Sequence, residues 1–100
     1  MTSAKDVIRL VIEDIDSEIR MLKSSLNYAE AKSMMYKDER QLAMSAGLDF
    51  VRASVEFDYS IGFHAGVAGE CKNRIDVLKR KREYYVSLCE IYAEEGEENE

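Results

Sequence analysis

The chain has no proline and only five glycines among 100 residues. Proline breaks helices and glycine loosens them, so their scarcity disfavours turn-rich and all-β folds and leaves room for long helices. There is no tryptophan, and there are two cysteines and one histidine. Two thiols without a disulfide framework fit a reducing compartment. No leader sequence is recognisable at the N-terminus, and the longest apolar runs are a few residues, far short of a membrane span. A cytoplasmic protein with no membrane contact is the expectation. The apolar fraction of 46% is that of an ordinary folded domain.

A strong charge of one sign is also missing from most of the chain. The formal net charge is −6, but the last seven residues, EEGEENE, hold five of the 20 acids. The other 15 acids face 14 bases, a net of −1. Residues 94–100 therefore read as an acidic disordered tail on a single helical domain, 1–93. A nucleic-acid partner is not expected, because duplex binding asks for a basic face.

Apolar spacing is the main signal. Ile8, Ile12, Ile15, Ile19, Leu22, Leu26 and Ala29 follow one another in steps of four and three. This is the spacing of a coiled-coil seam. Ser3 and Asp6 suit the helix start. The pattern loosens through Ser33, Met34, Met35 and Tyr36, which leaves a break in the first helix near residue 33 open. Gly47 suits a left-handed helix end and Asp49 a new N-cap. A second helix is expected from about 50 to 93, with the seam Phe57, Ile61, His64, Ala68, Cys71, Ile75, Leu78, Arg82, Tyr85, Cys89 and Tyr92.

A turn at 47–48 folds the helices antiparallel, with residue i level with 95 − i. The acids Glu13, Asp14, Asp16 and Glu18 then meet Lys79, Arg80, Lys81 and Arg82, and Asp49, Glu56 and Asp58 meet Lys37 and Arg40. Such pairs fix register more than they add stability. The fold class expected is all-α: an antiparallel two-helix hairpin that assembles into a helical bundle.

Each helix carries a second sticky stripe. On the first, Leu10, Met21, Tyr28, Met35 and Leu42 lie opposite the seam. On the second, Val51, Val55, Tyr59, Gly62, Gly66 and Gly69 share a stripe. A two-helix hairpin cannot cover both, so a homo-oligomer, dimer or higher, is expected, with Leu10, Met21, Tyr28, Met35, Val55, Tyr59, Gly62, Gly66 and Gly69 as interface residues. Each mid-helix glycine costs ~1 kcal/mol relative to alanine. Close approach of the two helices, or a kink, is the simpler compensation; a surface that admits a ligand or a partner's backbone is the other.

Catalytic sets are harder to find. His64 lies two turns before Cys71, too far to share a metal within one helix, and reads as a packed or interfacial histidine. Cys71 and Cys89 are five turns apart and read as free thiols. Lys79, Arg80 and Arg82 with Tyr84 form a candidate anion-binding cluster, suited to a nucleotide-like molecule if not consumed by the acids of the first helix. Ile15, Asp16, Glu18, Ile19, Leu22 and Ala29 resemble the first helix of the helical chorismate mutases, which are small dimers. Where that family has an arginine this chain has Ser25, Leu26 and Asn27, and its later lysine and Arg/Glu/Gln set have no counterpart. The resemblance thus implies no mutase activity. The expectation is a non-enzymatic interaction module, without cofactor or metal, that self-associates and binds or inhibits another macromolecule. The alternative is an oligomer that sequesters an anionic small molecule at subunit interfaces.

Overall fold

The computed structural model describes the backbone of residues 3–99 and the side chains of residues 3–92. The acidic tail expected over 94–100 lies outside the residues whose side chains are described. The chain is all-α, an antiparallel helical hairpin. Helix α1 spans Ala4–Ser45, and α2, Phe50–Ala53, runs through a π-helical segment, Ser54–Asp58, into α3, Tyr59–Asn99. No helix among the described residues is long and apolar enough to cross a membrane.

The helix ends follow from their residues. The Asp6 amide donates to Ser3 Oγ at 3.1 Å, which satisfies one of the free N–H groups of the first turn. At the other end of α1, the Leu48 amide reaches the Ala43 carbonyl at 3.0 Å and the Gly47 amide reaches Met44 at 3.1 Å. This is a Schellman ending, and Gly47 has the φ of +108° that such an ending asks of its glycine. Asp49 then caps α2, its Oδ1 accepting from the Arg52 amide at 2.8 Å.

Helix α1 has no break near Ser33. The seam continues in the same rhythm through Ser33, Tyr36, Arg40 and Ala43, with Ser33 buried and the other three half-buried. Polar residues occupy the seam there, which is why the apolar pattern fades while the helix does not. The Ser33 hydroxyl is satisfied by the Ile61 carbonyl at 3.4 Å.

The chain divides into two compact units to which α1 and α3 both contribute: residues Met1–Leu22 with Arg74–Glu100, and residues Lys23–Asn73. In the first, which holds both chain ends, Ile8, Ile15, Ile19 and Ile75 are buried. Arg82 sits in the seam and binds Asp16 through two hydrogen bonds, 2.6 and 3.4 Å. In the second, which holds the turn, the buried residues are Ala29, Ser33, Ala53, Ala68 and Cys71. All five are small. Lys72 pairs with Glu30 at 3.2 Å, and Arg40 Nε lies 3.1 Å from Asp58. The Arg40 Nε–H is not aimed at that carboxylate, so this contact is Coulombic.

Opposite charges therefore meet in both bands where the antiparallel register places them. The short contact Ser33–Ile61 has indices that add to 94, near the expected 95. Ion pairs made by long side chains, Asp16–Arg82, Arg40–Asp58 and Glu30–Lys72, add to 98, 98 and 102.

The π segment explains how the second seam begins. Ala53, Phe57 and Ile61 are spaced four and four, and only then does the three-and-four rhythm start. A π turn holds about one residue more than an α turn, so one insertion keeps all three on the inner face. Ala53 is 0% exposed as a result.

Candidate functional site

In the unit that holds the turn the fully buried residues are small, Leu26, Phe57 and Ile61 are half-buried, and other large side chains stand outside. Tyr28, Leu42, Phe50, Val51, Val55, Tyr59 and Phe63 are each more than half exposed, and Met35 is 37% exposed. Every residue of the first helix's expected second stripe is exposed, Leu10 and Met21 included, and so are Val55, Tyr59, Gly62, Gly66 and Gly69. A Cβ placed on Gly62, Gly66 or Gly69 would meet nothing within 4 Å. Close approach of the chain's own helices is therefore not what these glycines serve, contrary to the simpler expectation.

The stripe on α1 is itself heptad-spaced: Tyr28, Met35 and Leu42 lie seven apart. Helix α3 carries a matching set that the glycine pattern obscures. Phe63, Glu70, Val77, Tyr84 and Ile91 also lie seven apart, and the four apolar members are 51–61% exposed. The sequence holds this signal, but Glu70 interrupts it.

The turn unit has two unlike flanks. On one, Ser24, Ser25, Tyr28 and Ala29 of α1 and Phe63, His64 and Val67 of α3 line a shallow open groove of about 550 Å³. The other flank has a smaller depression of about 350 Å³, where Glu30 and Lys37 face Ala65, Gly69 and Lys72. The Glu30–Lys72 ion pair belongs to that side. The interface residues expected from sequence are thus split: Tyr28 lines the apolar groove and Gly69 the charged one.

Rings organise the apolar groove. Tyr36 stacks on His64 with centroids 5.7 Å apart, Phe63 meets His64 edge-on at 5.2 Å, and Tyr59 stacks on Phe63 at 6.2 Å. Four rings run from the half-buried seam out to solvent, which makes His64 a packed histidine. Lys32 Nζ lies 5.6 Å from the Tyr28 ring centre, and the Arg40 guanidinium 5.3 Å from that of Phe50.

The basic cluster does not converge. Arg82 turns inward to Asp16, whose hydrogen bond and then whose charge hold the guanidinium pKa above its ordinary value. Lys79, Arg80 and Lys81 are exposed, and about 100° separates each residue from the next around a helix. Arg80 Nε donates to the Asp76 carbonyl at 3.4 Å, and Tyr84 packs edge-on against Tyr85. Cys71 and Cys89 are free thiols. Among the described residues, no three of His, Cys, Asp and Glu come together as a metal-binding set. No family model, curated protein or solved structure matches the chain.

Proposed function

We propose that the chain is a non-enzymatic helical interaction module that self-associates and binds or inhibits another macromolecule. One observation carries this reading: the turn unit buries Ala29, Ser33, Ala53, Ala68 and Cys71 while Tyr28, Leu42, Val55, Tyr59 and Phe63 stay in water. Apolar burial contributes roughly 25 cal/mol per Å², so a core whose fully buried members are this small, with Leu26, Phe57 and Ile61 only half-buried beside them, is thin. Three exposed aromatics that offer 150–250 Å² each present, at their degree of exposure, on the order of 400 Å² of surface. That is the size of the largest apolar patch a monomer ordinarily carries, which is often a functional one.

Self-association makes stability depend on concentration, because only the folded state pairs. Thermal unfolding of the purified chain should shift to higher temperature as concentration rises. A midpoint constant from micromolar to millimolar chain contradicts the self-association. For the second half of the reading, the exposed ridge Val55–Tyr59 is the natural contact. A partner isolated on the wild-type chain should be lost with a Val55→Glu, Tyr59→Glu variant; equal retention contradicts that assignment.

A further inference from the structure

We infer that two copies of this chain pair through the apolar flank of the turn unit, with Tyr28, Met35, Phe63 and Val67 at the centre of the contact. The inference deepens the self-association proposed above and rests on it. Three observations choose this face and this occupant.

The first is contrast. The Glu30–Lys72 ion pair sits in the depression on one flank, whereas the groove on the other is lined by Tyr28, Ala29, Phe63 and Val67, with Ser24, Ser25 and His64 as its polar members. Only the second has enough apolar surface to gain by leaving water. The second is pattern. Tyr28, Met35 and Leu42 repeat every seven residues, so whatever covers them is a long helix that crosses at a small angle, about 20°. This chain supplies two such helices. The third is charge and size. The same heptad reading puts Lys32, Glu39 and Glu70 on this flank, so the lysine of each copy can meet an acid of a second copy turned by a two-fold axis. About 22 residues per helix give a flank ~33 Å long and, for two helices ~10 Å across, ~20 Å wide. Its flat projection of roughly 650 Å², larger once side chains interdigitate, approaches the ~800 Å² that each partner of a standard complex contributes.

The test uses the full chain in sedimentation equilibrium. Wild type should be a dimer, and Tyr28→Glu and Phe63→Glu should each weaken it by ~30-fold or more, the effect of losing a central contact residue. Met34→Glu on the charged flank and Val55→Glu on the outer ridge should leave the dimer intact. Because a monomeric variant with so thin a core can unfold, hydroxyl-radical footprinting of the unmodified chain supplies a second readout. Tyr28, Met35 and Phe63 should gain protection on concentration while Met34 does not. A dimer broken by Met34→Glu or Val55→Glu but not by Tyr28→Glu and Phe63→Glu overturns this face and leaves self-association standing. A wild-type monomer throughout, including one whose flank accepts a foreign helix, overturns both.

Discussion

Three glycines in the middle of α3 show how a single residue's surroundings decide its meaning. Gly62, Gly66 and Gly69 face open space and have ordinary helical backbones. Alanine at Gly66 should therefore stabilise the chain by about 0.5–1 kcal/mol, the entropy that glycine loses in a helix. Chemical denaturation measures it, and a destabilised variant would mean that something outside the chain packs on that spot. Gly47 should behave in the opposite way. Its φ of +108° has no comfortable place for a side chain, so Gly47→Ala should cost about 1–2 kcal/mol. The turn and its glycine were legible from sequence because a left-handed helix end has a narrow chemistry. The open surroundings of the other three were not, since spacing says which residues share a face and not what lies across from it.

At the scale of the element, the seam of α1 was legible as far as Ala29 and obscured beyond it. Ser33, Tyr36 and Arg40 hold seam positions, but a polar residue there reads as a lapse in the pattern until its partners are seen: Ile61 for Ser33, His64 for Tyr36, Asp58 for Arg40. The π segment left only the trace of two successive four-residue steps, Ala53–Phe57–Ile61. Deletion of Glu56 should convert that segment to ordinary α-helix while Ala53, Phe57 and Ile61 take normal seam spacing of three and four. Helix content by circular dichroism and a cooperative melt should survive the deletion. Loss of cooperative unfolding would show that the inserted residue is needed for more than register. Charge bands told the antiparallel register in advance, because Asp16 with Arg82 and Asp58 with Arg40 are encoded as blocks of opposite sign. Of the expected anion cluster, Arg82 turns to Asp16, and helical geometry points Lys79, Arg80 and Arg82 in different directions.

For the whole molecule, the fold follows from sequence more readily than the function does, for a physical reason. Helical periodicity is written in each segment separately, whereas a docking face is defined by what remains exposed after folding. In the turn unit that remainder is large and the interior small, so the side chains that would form a core in another protein stand on the surface here. The account holds that this surplus is covered by a second copy. The most direct test is the molar mass of the unmodified chain by light scattering at rising concentration. It should approach twice the monomer's value and stay there. The mass of a single chain at every concentration, in a protein that melts cooperatively, would contradict the account.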